Sequence, residues 1–223
     1  AIINTAALLF MNNANANYTQ ALIGKVTKLK GSAYAESSTV NKRDLKIGSS
    51  IFEKDTIYTK SKSSLTILFN DKTRFELGPD SSLLASEYNY QNNAEEDSVA
   101  LNVLKGTFRF VTGLVAKEKP EAMEISTAVA TIGIRGTQVI GEADTSSATI
   151  ILIEPEDKSR KSAIDVYNDF GRVTIDEPGF GTDIPDANSP PSPPRRMRLQ
   201  TIDNLMRSMQ NINRVNIPRP RMP

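Results

Sequence analysis

Two of the close acidic groups could do chemistry. Glu76 is followed by Asp80, and Glu154 by Glu156 and Asp157. Paired carboxylates are the equipment of glycoside hydrolysis, one as acid and the other as base or nucleophile. The strand spacing singles out neither group, and acids near turns are usually solvated. Asp55, Asp71 and Asp80 could cap turns or bind calcium, but no D-x-[DN]-x-[DN]-G loop frames them. The chain has no Cys and no His. That removes thiolate nucleophiles, Cys-based zinc and iron–sulfur sites, the commonest general base and the Ser-His-Asp triad. The expectation is a protein that is not an enzyme, with no catalytic residue, metal or cofactor.

One basic residue stands in a special setting. Ile132-Gly133-Ile134-Arg135-Gly136-Thr137 places an arginine between two glycines. Glycine permits positive φ or close backbone approach, so the segment reads as a tight turn that fixes Arg135. A guanidinium held there can take a carboxylate bidentately. That carboxylate is either internal to the fold or belongs to a ligand or partner.

The charge is unevenly spread. The 223 residues hold 27 Lys and Arg against 26 Asp and Glu. From Ser189 onward there are seven Arg and one acid, Asp203, so this tail carries +6 and residues 1–188 carry −5. Pro190-Pro191-Ser192-Pro193-Pro194 favours an extended polyproline spacer or strap, expected to be disordered in the isolated chain. Beyond it, Leu199, Ile202, Leu205, Met206 and Met209 fall on one face of a helix over about 199–212. Such a face must dock, on the chain's own body or on a partner subunit. With Arg195, Arg196 and Arg198 these residues are the candidate partner-binding set. Arginines without interleaved aromatics are weak evidence for nucleic acid, which is not expected as a partner. Acidic protein surface, lipid phosphate or anionic polysaccharide suits the tail better.

The N-terminus is apolar through Met11 but short of the roughly 20 residues of a membrane span. Ala14-Asn15-Ala16 has the small-x-small form of a signal-peptidase site. Residues 1–16 read as a signal remnant, with a buried N-terminal helix or strand as the alternative. The remnant implies export to the periplasm or cell surface.

The elements that must position these residues are strands. Apolar residues alternate at period two between turn residues from Ala21 to Phe180. Leu65–Phe69 and Thr73–Leu77 flank Asn70-Asp71-Lys72 as a hairpin, and Val166–Val173 reads as another. Leu101–Val111 alternates around Gly106, which suggests a bulge or kink. The expected fold is all-β, a roll, sandwich or short solenoid, with a short C-terminal helix in the tail. Leu114–Glu118 is a further helical candidate.

The order of motifs resembles the FecR domain, named after the ferric-citrate regulator. It rests on Gly24–Ala33, Leu45–Thr59, Ser63–Leu83, Leu104–Phe110 and above all I-S-T-A-V-A-T-I-G-I-R-G-T-Q-V at Ile125–Val139. Ala128 stands where the family commonly has Pro, and Lys72 where its hairpin usually has Gly. The resemblance covers about 24–140. It implies an extracytoplasmic β-rich module without known catalytic residues, and it makes Gly133, Ile134, Arg135, Gly136 and Thr137 the family motif. The founding type relays a signal through a cytoplasmic segment and a membrane helix. Neither is evident here, so a free-standing envelope domain is expected.

The resulting expectation is a FecR-like domain over 17–140, a β extension over 141–188 and a basic tail over 189–223. It would be a scaffold that binds itself, as a homo-oligomer, or other envelope proteins, through strand edges and tail. The alternative is a sensory domain that recognises an envelope polysaccharide or receptor.

Overall fold

A computed structural model describes residues 20–38, 41–91, 95–135, 138–154 and 162–210. The proposed signal remnant, Gly136, Thr137 and residues 211–223 lie outside these.

The chain shuttles between two sheets, here called front and back. β1 (Leu22–Lys30) lies in the front sheet, β2 (Ala33–Glu36) and β3 (Arg43–Asp44) in the back. β4 (Ser50–Phe52) returns to the front and β5 (Thr56–Thr59) to the back. β6 (Ser64–Phe69) and β7 (Arg74–Leu77) form a front hairpin, and β8 (Ser82–Asn89) crosses to the back. β9 (Ser98–Val111) serves both sheets. Its first half pairs with β8 and its second half with β7.

After β9 come α1 (Leu114–Glu118) and a 3-10 turn, Pro120–Ala122. β10 (Met123–Ser126) then runs parallel to the first half of β9 in the back sheet, with β11 (Thr131–Arg135) beside it. β12 (Gln138–Ala143) and β13 (Ala148–Ile153) are in front. β14 (Ala163–Asn168) and β15 (Gly171–Ile175) are behind. β16 (Phe180–Ile184), β17 (Arg195–Arg196) and α2 (Leu199–Gln210) finish on the front. The all-β expectation holds. In both sheets β1–β8 lie on one side of β9 and β10–β17 on the other.

The core explains the alternation. One cluster takes Ile23, Phe75, Phe108 and Val139 from the front sheet and Ala35, Leu83, Leu101 and Ile132 from the back, all at most 1% exposed. Phe75, Phe108 and Phe110 stack with centroids 5.9–6.4 Å apart. The cluster runs on to Ile184, so residues 141–188 share the core of the preceding segment, and position 140 falls inside β12.

β9 shows how the sequence turns the corner. Val99, Leu101 and Val103 are buried, then Phe108 and Phe110, so the buried parity switches. The switch is at Gly106, whose φ of +99° bends the strand from one sheet into the other. The expected kink is therefore a sheet corner. Hydroxyls line the neighbouring corners. Ser81 Oγ donates to the Thr107 carbonyl at 3.2 Å, Thr59 Oγ1 to the Gly78 carbonyl at 2.6 Å, and Ser63 Oγ accepts from the Ser32 amide at 2.9 Å. They satisfy backbone groups that the ladders release where the chain changes sheets.

Lys72 has φ +73° in the β6–β7 turn, so the position where the family usually has Gly keeps a left-handed backbone without one.

Candidate recognition cleft on the back sheet

β10, β11, β14 and β15 lie side by side, and their register sets the outer surface. Glu124 opposes Gly133, Gly133 opposes Asp165, and Asp165 opposes Thr174. In the adjacent row Thr131 opposes Tyr167, and Tyr167 opposes Arg172. Ile132 and Ile134 alternate inward and are buried. Gly133 lacks a side chain at the centre of the outer rows. A cleft of about 450 Å³ opens there, bordered by Met123, Glu124, Arg135, Asp165, Tyr167 and Arg172.

Asp165 is its electrostatic centre. Only 11% of its side chain is exposed. Arg135 Nη2 reaches Asp165 Oδ2 at 2.9 Å, and Arg172 Nη1 stands 3.9 Å from the same oxygen. Thr174 Oγ1 donates to Oδ1 at 2.6 Å. The Arg172 guanidinium also lies over the Tyr167 ring, 4.4 Å from its centroid. Tyr167 donates to Glu124 Oε1 at 3.5 Å. Burial, then the Glu124 carboxylate, hold the Tyr167 phenol above the usual tyrosine range. Arg135 and Arg172 remain 63% and 60% exposed, so each guanidinium keeps donors facing solvent.

The sequence reading placed Arg135 in a tight turn. Instead Gly133 and Arg135 belong to strand β11, and Gly133 is not left-handed. A Cβ at Gly133 would meet nothing closer than 3.7 Å, so this glycine leaves room rather than permitting a bend. Of the two carboxylate partners open to Arg135, an internal one, Asp165, is in contact. Sequence reasoning missed Asp165, Tyr167, Arg172 and Glu124. The register of β11 against β14 brings the first two to the motif, and no spacing in the chain announces it.

Of the other candidates, Glu156 and Asp157 lie outside the described residues. Glu76 accepts from Arg109 Nη1 at 3.0 Å on both oxygens, and Arg74 lies 3.4 Å away. Asp71 and Asp55 are fully buried. Among the described residues no cluster of three or more acidic side chains could hold a metal ion.

The tail is pinned to its own body. Ser192 bonds Thr182 and Asp183, and Asn168 Nδ2 donates to the Ser189 carbonyl at 2.8 Å. Arg195 Nη2 meets Asp183 Oδ2 at 2.5 Å, while Arg196 and Arg198 are exposed. Leu205 and Met209 are buried against Ile140, Ile151 and Ile153, with Ile202 and Met206 packed beside them and Leu199 78% exposed. The disorder expected for the strap is corrected as far as residue 210, because Ser and Arg side chains tie it down. Of the two docking sites open to the helix face, the chain's own body is the one in contact, at the front sheet.

Residues 55–155 match the family model described as FecR protein. Over that span, a little under half of the chain, it is similar to the FecR family. The matched span runs from Asp55 through the signature strand β11 to the end of β13. Two crystal structures of a candidate anti-sigma factor from Parabacteroides distasonis ATCC 8503, at 2.50 and 1.65 Å resolution, superpose on this fold with TM-scores of 0.52 and 0.51. Each is 11% identical, covers 68% of this chain and is covered over 64% of its own length, so the likeness concerns the fold. A structure described as a cell surface anchoring domain is 40% identical over 28% of this chain and 82% of its own, with a TM-score of 0.27. No curated protein matches the sequence. No described helix of the chain is long and apolar enough to cross a membrane.

Proposed function

We propose that this chain is a non-enzymatic, extracytoplasmic sensory module that recognises an envelope ligand or receptor through the cleft above Gly133. One observation carries the reading. The strand that bears the family motif supplies both the open floor of the cleft, Gly133, and a guanidinium, Arg135, which Asp165 orients while its other donors face outward. Oriented, half-exposed arginines recognise carboxylates and other planar acceptors with little ordering cost. The FecR match over residues 55–155 and the fold shared with an anti-sigma factor favour a regulatory rather than a chemical task.

Filling the floor tests this. Gly133→Val suits an outward strand position and meets no close neighbour, so its melting temperature should match or exceed the parent's. A thermal-shift panel of peptidoglycan fragments, anionic polysaccharide and receptor plug domains should stabilise the parent and not the variant. Equal stabilisation of both proteins, or none of the parent, would count against the cleft.

A second reading is an assembly protein that joins copies of itself or other envelope components. The outer edge of β15 has no strand partner among the described residues, and tail and body keep opposite charges. Removing residues 211–223 leaves the docked strap intact. Unchanged monomeric elution with and without them, at low salt, would exclude tail-driven assembly.

A further inference from the structure

The outer face of the front sheet is not uniformly polar. Ile140, Ile151 and Ile153 point outward and form, with Met197, Leu205 and Met209, a cluster separate from the main core. Of the polar side chains on this face, two stand directly opposite the isoleucines. Arg109 opposes Ile140, and Gln138 opposes Ile153. Arg109 Nε and Gln138 Oε1 are both buried and make no hydrogen bond. Unpaired buried donors and acceptors weaken whatever covers them.

α2 is what covers the isoleucines, and its hold is light. It packs on β12, β9 and β6, and among its described side chains only Leu205 and Met209 are fully buried. Twelve residues make a helix that is marginal without its docking face. The strap is fixed by Ser192, by Arg195 against Asp183 and by buried Met197, so anchoring ends just before Arg198. From there the helix stays in place through its side chains.

We propose that α2 is a releasable latch seated in a groove that also accepts an amphipathic helix from a protein partner. The resident helix shows what fits, with apolar side chains at i, i+3, i+4 and i+7, here Ile202, Leu205, Met206 and Met209. A partner helix with that spacing, plus an acceptor for Arg109 Nε and a donor for Gln138 Oε1, outcompetes α2 because it satisfies atoms that α2 leaves bare. Binding then selects the open state that α2 already visits. The groove lies on the opposite sheet from the Gly133 cleft and stands independently of it.

The full-length chain tests this by hydrogen exchange. Amides of α2 should exchange at least about 100-fold faster than those of β12 and β13, as expected for local opening. A fluorescent peptide of residues 199–210 should bind the full-length Leu205→Asp/Met209→Asp chain at least about tenfold more tightly than the parent, whose own latch competes. Adding Ile151→Asp to that chain should abolish peptide binding. Exchange in α2 as slow as in β12, or loss of cooperative melting of the body in the Leu205→Asp/Met209→Asp chain, would make α2 part of the core and overturn the latch. Failure of the peptide to bind the undocked chain would overturn the groove. A concentration-dependent dimer of the parent that the double substitution abolishes would assign the groove to a second copy's α2 and overturn the separate partner.

Discussion

Tyr88 and Asp71 hold each other in both directions. The Tyr88 phenol donates to Asp71 Oδ1 at 3.0 Å and accepts from the Asp71 amide at 2.8 Å. Thr73 closes the arrangement, its hydroxyl donating to Asp71 Oδ2 at 2.6 Å and accepting from the Gly113 amide at 3.0 Å. One buried carboxylate thus ties the β6–β7 turn to β8 and to the start of α1.

Tyr88→Phe should therefore destabilise the protein by about 1–3 kcal/mol, since it strands the buried Asp71 amide and leaves Asp71 Oδ1 with the Thr73 amide alone. Burial, then the Asp71 charge, push the Tyr88 phenol far above its ordinary value of 10.0. The folded state keeps this proton where the unfolded state loses it. The contribution is complete below the ordinary value and is lost as pH rises above it. Chemical denaturation from pH 9 upward should show the parent losing stability faster than Tyr88→Phe. Parallel curves would contradict this.

Asp55 gives the acid counterpart. Burial raises its carboxyl above the usual aspartate range, against the lowering effects of the Phe52 amide and Arg43. Its Oδ2 accepts from the Phe52 amide at 2.7 Å and pairs with Arg43, while Oδ1 has no partner. Because the folded pKa is raised above 3.8, this contribution to stability is complete below 3.8 and is lost as pH rises through the raised pKa. Carboxyl carbon shifts in Arg43→Ala should show Asp55 titrating higher still. An unchanged or lowered midpoint would refute the pairing.

Lys72→Gly should stabilise the protein by about 0.5–1 kcal/mol, because φ of +73° strains a residue with a Cβ and costs glycine nothing. Urea midpoints measured at a constant m-value check the sign.

Gly106→Ala should cost about 2–5 kcal/mol, combining a left-handed backbone with overpacking. A Cβ there would lie 2.1 Å from Ser81 Oγ and 2.6 Å from Ser81 Cα. Expression and thermal melting measure the loss, and a melting temperature within a degree or two of the parent would show that the corner yields.

The strands were legible because each sheet buries one face, so alternation survives in the sequence as period two. The β6–β7 and β14–β15 hairpins were legible from their turn residues. β11 was not, since its two isoleucines flank a glycine and read as a turn. β16 was missed because Gly181 and Thr182 fill the place of apolar residues between Phe180 and Ile184. The cleft was half legible. Arg135 was marked by its motif, but Asp165 and Tyr167 reach it through an antiparallel register 30 or more residues away, which local pattern does not encode. The helix face of α2 was readable and its address was not, because amphipathicity states that a face must be covered and not by what.

The shared strand β9 gives the molecule a midline that is also a midpoint in time. The strands before it lie to one side and the strands after it to the other. A chain emerging from its N-terminus can assemble half of each sheet before β9 exists, and β9 then closes that half and becomes the template for the next. Synthesis order and spatial order coincide, so truncation from the C-terminus should remove strands from one flank only, as pages leave the end of a book.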